Sequence, residues 1–304
     1  MAKHTLREWI WAARPWSLPA SSMPVIATLG FLFWWKATVA PEMPCNWFHG
    51  VLALVGMMTF QASANLISDY FDFVYGVDAQ DTFGSRTILS GKFTPRETLI
   101  YGFTLWVLGI LIGLVLLWRT KDTRLFWLGL CGVFFAACYP FFKFRALGDL
   151  LIFTAFSPLP ILGTTLVVTG QFLYEALVLA VPVGLITVAI LHANNWRDIG
   201  SDRRARIRTF SMLIGSRLSE WVYVTELIFP FLWITGVACF LPLLPLWSLL
   251  VLLALPLSLS NARRAVWRTD DVAAIADLDE RTAKLQLVFS LTLSCSFLIA
   301  AMVQ

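Results

Sequence analysis

The sequence predicts an all-α, polytopic membrane protein with about nine transmembrane helices, and three observations carry that expectation. Hydrophobic residues make up 58% of the 304-residue chain and charged residues only 14%, where a soluble domain carries about a quarter charged. Apolar stretches recur along the whole length, each reaching the roughly 20 residues needed to cross about 30 Å of hydrocarbon. Basic residues collect at alternate ends of those stretches, as membrane topology requires.

Taken in order, the opening "MAKHTLREWIWAARPWSLPA" lacks a basic region leading into an apolar core and a small-residue cleavage site. It reads as a basic, aromatic interfacial segment rather than a removed signal peptide. The first span is placed at 17–36 and the second at 48–68, running into "SDYFD". The third, 98–118, and the fourth, 124–142, are separated by the basic "WRTKDTR". The fifth, 149–169, follows "FFKFRALGD", and the tight "VVTGQFLYE" divides it from the sixth at 172–194. "CFLPLLPLW" separates the seventh, 219–239, from the eighth, 242–260, and the ninth is 285–303. Glycine and proline within these spans are compatible with a membrane, where neighbouring helices satisfy freed backbone groups.

With the N-terminus inside, nineteen of the 23 basic residues fall on the inner side and only Lys36, Arg119, Lys121 and Arg124 outside. The expected topology is therefore N-in and C-out. No linker or low-complexity stretch divides residues 1–304, which read as a single transmembrane domain with its two long inner loops at about 65–97 and 194–217. The net charge of +4 sits beside the apolar runs, so topology accounts for it and no nucleic-acid partner is expected. The five cysteines are scattered without a C-x-x-C pair, which indicates neither a disulfide framework nor a cysteine-based zinc site. They are expected to be small hydrophobes of the core.

Against this apolar background two polar clusters stand out, both at the inner ends of spans. In "NLISDYFDFVYGVD", Asn65, Asp69 and Asp72 fall at i, i+4 and i+7, one face of one helix, with Asp78 beyond. In "NNWRDIGSD", Asp198 and Asp202 are again i and i+4, with Asn194 and Asn195 a turn earlier. Like charges at that spacing repel by about a few tenths of a kcal/mol in water, and by more near lipid. Two such clusters on one membrane side call for a counter-charge. Hard oxygen donors suit Mg²⁺, which takes one or two carboxylates and completes its shell with water and phosphate oxygens. Solvated helix ends are the plain alternative for either cluster taken alone.

Arginines and lysines surround both clusters, and Arg14, Arg86, Lys143 and Arg208 are the best candidates for a diphosphate-binding set. Tyr70, Phe71 and Tyr139 are the aromatic residues nearest the clusters. His192 lies off the Asp198 face and is assigned a packed or hydrogen-bonded role, while His4 and His49 carry no signal. Asp149 is read as a helix N-cap, and Glu226, an acid inside the seventh span, is left outside the site. A secondary transporter would hold its polar residues near the bilayer midplane. The placement at span ends fits phosphate-directed chemistry better.

These segments resemble the UbiA superfamily of intramembrane aromatic prenyltransferases, and within it the MenA branch, 1,4-dihydroxy-2-naphthoate polyprenyltransferases of menaquinone synthesis. The first motif of that branch, N-D-Y-x-D-x-x-x-G-x-D, is matched from Asp69 through Gly76 and Asp78, and the second, N-N-x-R-D-x-x-x-D, from Asn194 to Asp202. "ARPWSLPASSMPVIATLG" and "FRALGDLLIF" also look like the family, so the resemblance spans about residues 13–215. It implies a nine-helix bundle with a central cavity open to the cytoplasm, in a multi-pass integral membrane protein. There a polyprenyl diphosphate binds through Mg²⁺ held by both motifs, and an aromatic acceptor receives the prenyl group. Carried across by position, Asp69, Asp72, Asp198 and Asp202 are catalytic, and Asp78, Asn194 and Asn195 join them as metal-side residues; Ser68, at the family's asparagine position, and Asn65, one turn earlier, complete the metal-side set. Ser68 stands where the family has asparagine, and Ile207 where it has lysine. The basic outer loop at 119–124 is a third departure. The motifs specify the diphosphate half, which leaves 4-hydroxybenzoate and homogentisate open as acceptors.

Overall fold

The computed structural model describes residues 4–74, 87–143, 145–204, 208–266 and 272–303. Asp78, Arg86 and Ile207 lie outside the described residues, as do the side chains of Tyr139 and Lys143. All regular structure among them is helical. The first half contains α1 (Leu6–Ala12), α2 (Pro19–Thr38), α3 (Trp47–Val74), α4 (Pro95–Thr120), α5 (Thr123–Lys143), α6 (Gly148–Phe156) and α7 (Pro158–Thr169). The second contains α8 (Ala180–Arg197), α9 (Ile199–Arg204), α10 (Phe210–Ile214), α11 (Ser216–Phe240), α12 (Leu255–Ala265), α13 (Val272–Ile275) and α14 (Leu278–Val303). Seven helical segments of the described residues are long and apolar enough to cross a membrane. The two remaining predicted spans coincide with α2 and with α5, whose apolar part is Thr123–Phe135.

Three predicted spans are built in two pieces. The fifth breaks at Ser157, between α6 and α7, because the ring of Pro158 disfavours helical backbone in the residue before it. Ser157 Oγ then donates to Ala180 O at 2.8 Å, tying the break to α8. The sixth and eighth begin as 3-10 turns, Tyr174–Leu179 and Leu246–Ala254, before continuing as α8 and α12. The second extends six residues past its expected end, so 65–74, expected to start a loop, is helix.

Helix α14 runs through the interior, with Leu285, Gln286, Phe289, Leu293 and Phe297 fully buried, and packs against α2, α8 and the 3-10 turn at 246–254. Lipid tails are as apolar as leucine, so helices in a bilayer associate through close approach and side-chain hydrogen bonds rather than through oiliness. Helices α3 and α4 show this: Ser63 Oγ donates to the carbonyl of Gly102 at 2.8 Å. A Cβ on Gly102 would sit 2.9 Å from Ile67 Cγ1 and 3.2 Å from Leu66 Cβ. Gly102→Val should therefore push α4 off the Asp69-bearing end of α3 and destabilise the protein by about 1–3 kcal/mol. Thermal unfolding in detergent checks this, and an unchanged midpoint would contradict the close approach.

The same physics corrects the expectation for the cysteines: Cys131, Cys239 and Cys295 are exposed on outward helix faces, and Cys45 and Cys138 are half-buried. Apolar character does not place a residue inside when the surroundings are also apolar. The basic loop at 119–124 has local partners. Arg119 Nε donates to His49 Nε2 at 3.2 Å, and the buried His49 ring gives its Nδ1 proton to Val167 O at 3.0 Å. Arg124 pairs with Asp122, donates to Gly170 O, and lies over Phe172. That pairing holds the Asp122 carboxyl below its ordinary pKa.

Candidate active site

The first cluster is organised around an N-terminal hook. Helix α1 starts with a capping box, Thr5 accepting from the Glu8 amide while the Glu8 carboxylate accepts from Thr5. It is held down by aromatic contacts: Trp9 meets Phe93 and Tyr101 edge-on, and His4 stacks on Phe93 and lies 3.5 Å from Glu97. His4 thus has a structural role that its isolated position in the sequence did not signal. The chain then turns through Arg14 in the left-handed region, φ 54°, which is unfavourable for a side chain of this size.

That turn is gripped from α3. The Asn65 amide donates to Ala13 O at 3.0 Å and to Ser17 Oγ at 2.8 Å, while Ser17 Oγ donates to Arg14 O at 2.9 Å. One helical turn on, the carboxylate of Asp69, 2% exposed, ion-pairs with the Arg14 guanidinium. The spacing i, i+4 read from the sequence is therefore a two-point clamp, with Asn65 on the backbone of the turn and Asp69 on its cation. The Asn65 carbonyl oxygen accepts from Gln61 at 3.2 Å, so this side chain's present contacts are those of a positioning residue. Asp72 follows on the more exposed stretch, and Ser68 Oγ donates to its Oδ2 at 3.1 Å. Where the family carries asparagine, this chain has a hydroxyl bonded to the next acid of the motif. Tyr70 and Phe71 stand edge to face beside it, ring centres 5.3 Å apart.

The second cluster is organised around a residue the sequence reading passed over as a topogenic charge. Arg197, the last residue of α8 and 7% exposed, grips the Asp198 carboxylate with both Nε and Nη2 at 2.8 Å. It also donates to Asn194 Oδ1, to Asp279 Oδ2 at 2.8 Å and to Ala276 O at 3.2 Å. One guanidinium thus links the motif at the end of α8 to the first turn of α14. The signal was present in the motif itself, since its N-N-x-R-D spelling includes an arginine. Of the two asparagines, Asn194 faces Arg197, whereas Asn195 donates to Asp149 Oδ1 at 3.5 Å. Asp202 is buried at 5% exposure on α9. The stretch from 194, expected as a loop to about 217, is largely helical, through α8, α9 and α10.

Among the diphosphate candidates, Arg14 lies in the first cluster as described. Arg208 is exposed, and its carbonyl accepts from the amide of Ala146 at 3.1 Å. This bond joins the tail of the second motif to the turn that follows Lys143. Asp149 is not an N-cap: Leu147 occupies that position, and Asp149, second in α6, accepts from His192 and Asn195 instead. His192 is fully buried and hydrogen-bonded, as expected for a packed residue.

The donor set of the two motifs fits Mg²⁺: all its atoms are oxygens, and Asp69 and Asp202 are nearly inaccessible carboxylates. Among the described residues these acids do not form a one-ion cage by themselves. Among the described residues the group of three whose ligand atoms converge is Asp149, His192 and Glu226. A site completed by water and substrate phosphate oxygens needs no such convergence from its carboxylates.

Comparison with known proteins gives a consistent pattern. The model of the UbiA prenyltransferase family matches residues 25–300. Relatives described as UbiA prenyltransferase domain-containing protein 1 are 33% identical in Rattus norvegicus, over 93% of this chain and 81% of theirs. The Homo sapiens protein is 32% identical with the same coverage. The Drosophila melanogaster homolog is 31% identical over 94% of this chain and 78% of its own. Among solved structures, an apo UbiA homolog from Aeropyrum pernix K1 superposes with a TM-score of 0.63 at 15% identity, covering 98% of this chain and 99% of that one. A UbiA homolog from Archaeoglobus fulgidus bound to GPP and Mg²⁺ gives 0.52 at 14% identity, covering 94% and 99%.

Proposed function

Because this chain belongs to the UbiA prenyltransferase family and is a prenyl-transferring membrane enzyme, we propose that it moves a polyprenyl group from a prenyl diphosphate to an aromatic acceptor in a Mg²⁺-dependent reaction. The proposed acceptor is 1,4-dihydroxy-2-naphthoate, and the product demethylmenaquinol, the reduced form of demethylmenaquinone. The observation that carries the diphosphate half is the pairing of both motifs with guanidinium groups, Asp69 with Arg14 and Asp198 with Arg197. The acceptor rests on the spelling of the two motifs, which is similar to the naphthoate branch. The positive-inside distribution of basic residues supports a reaction on the cytoplasmic side.

Asp69, Asp72, Asp198 and Asp202 would hold Mg²⁺, with Asn194 and Ser68 beside them and Asp78 from the adjoining segment. Bound Mg²⁺ supplies Lewis-acid stabilisation of the charge that builds on the departing diphosphate. Arg14 and Arg208, with Arg86 and Lys143, take the remaining phosphate oxygens by charge-assisted hydrogen bonds. The Asp69 carboxylate keeps Arg14 oriented before substrate arrives, so little reorganisation is needed as charge develops. The allylic C–O bond breaks with its electron pair leaving on the diphosphate. The aromatic faces of Tyr70 and Phe71 shelter the cationic prenyl group. The electron-rich ring carbon forms the new C–C bond, and the carboxyl leaves as CO₂ to restore the aromatic ring. The isoprenoid product departs sideways into lipid, which is the physical reason for building such an enzyme in the membrane.

The test incubates detergent-purified protein with a prenyl diphosphate and Mg²⁺ together with dihydroxynaphthoate, 4-hydroxybenzoate or homogentisate. Prenylated naphthoquinol is the expected product. Product from another acceptor alone would overturn the naphthoate assignment, and no product from any ring would overturn aromatic prenyl transfer.

A further inference from the structure

Asp149, His192 and Glu226 come from three helices, α6, α8 and α11, and meet inside the bundle. His192 is fully buried, Glu226 is 8% exposed, and Asp149 keeps 14% of its side chain accessible. One imidazole nitrogen and one oxygen from each carboxylate lie within 4.8 Å of one another. His192 Nδ1 is the shared corner, 3.3 Å from Asp149 Oδ2 and 4.0 Å from Glu226 Oε1. The other Glu226 oxygen, Oε2, is buried without a hydrogen-bond partner. Among the described residues His192 is the one ion-pair partner of either acid. Burying two carboxylates against a single imidazole leaves their desolvation poorly compensated.

We propose that these three side chains bind a divalent transition-metal ion of the Zn²⁺ type. Two carboxylates balance the charge of the ion, and a neutral imidazole is a ligand that Zn²⁺ favours, whereas Mg²⁺ takes oxygen. Zinc–ligand bonds of about 2.0–2.2 Å put neighbouring ligand atoms roughly 3.3 Å apart in a tetrahedral site. The His192–Asp149 separation already has this value, and Glu226 needs to close on His192 by less than about 1 Å and on Asp149 by at most about 1.5 Å, leaving a fourth position for water. Such an ion would tie three helices together. It would also fix the end of α8, because Asp149 contacts Asn195 next to the second motif. The site uses none of the motif acids and does not depend on the prenyl-transfer reading. The cysteine pattern gave no hint of it, because its ligands are far apart in sequence and none is a thiol.

Detergent-purified full-length protein, stripped with EDTA, is equilibrated with ZnCl₂ in excess Mg²⁺ and freed of unbound ion by gel filtration. Bound zinc is then measured by mass spectrometry and the unfolding midpoint by tryptophan fluorescence. One zinc per chain and a raised midpoint are expected, with both retained in Asp69→Ala and Asp198→Ala. Glu226→Gln and His192→Gln should weaken binding by more than about tenfold, the least that even an outer-shell change costs a metal site. Glu226→Gln keeps the shape of the side chain, and its zinc-free midpoint confirms that it folds. Zinc retained by both glutamine variants, or lost in the motif variants, would overturn the proposal. So would a wild-type protein that takes up none.

Discussion

Asp69→Ala and Asp198→Ala should each reduce prenyl transfer by at least about 10²–10³-fold, the scale on which an enzyme depends on a single preorganised electrostatic contact. Both residues stand at the head of a motif, and each is engaged by a guanidinium: Asp69 by Arg14, and Asp198 by Arg197. Removing either acid deletes an oxygen donor and also releases the arginine that it orients. The loss should appear mainly in kcat, because charge on the diphosphate grows as the C–O bond breaks. The isosteric Asp69→Asn and Asp198→Asn variants separate charge from shape and should be impaired nearly as much. Single-turnover assays across a Mg²⁺ titration provide the measurement. Near wild-type activity in both alanine variants would disprove the metal-holding role of the two motifs.

Arg197→Met should cost about 3 kcal/mol of stability, the lower end of what breaking a buried ion pair costs. The lower end applies because Asp198 and Asp279 keep 24% and 23% of their side chains accessible, so water softens the charge left behind. The substitution strips hydrogen bonds from Asn194, Asp198, Asp279 and the Ala276 carbonyl at once. Thermal unfolding in detergent should report a drop of several degrees. Adding Asp279→Leu should restore part of the loss by removing one orphaned carboxylate, yet leave prenyl transfer impaired. A change within about 0.5 kcal/mol for the single variant, the range of an ordinary surface substitution, would show that Arg197 is not the clasp described.

Much of the architecture was legible in advance. The apolar stretches located helices because any chain crossing hydrocarbon must satisfy its backbone internally, which leaves a hydrophobic run of fixed length as its trace. The face shared by Asn65 and Asp69 was also readable, since helical period alone aligns residues four apart. What those two residues hold was not. Arg14 is 55 positions from Asp69, and its left-handed turn shows only when Asn65 is seen bonded to Ala13 and Ser17. Arg197 was counted as one of many topogenic charges because its decisive partner, Asp279, is 82 residues away. Glu226 was noticed as an intramembrane acid but had no visible companion until α6, α8 and α11 were packed together.

The sequence by itself determined the class of molecule and the two acidic motifs, because hydrophobic length, charge asymmetry and helical spacing are local properties. Only the tertiary structure decided which cation serves which acid, which asparagine faces Arg197, and where His192 and Glu226 meet. Those are relations between helices. In a bilayer they are set by close approach of small residues and by side-chain hydrogen bonds, neither of which a hydrophobic pattern records.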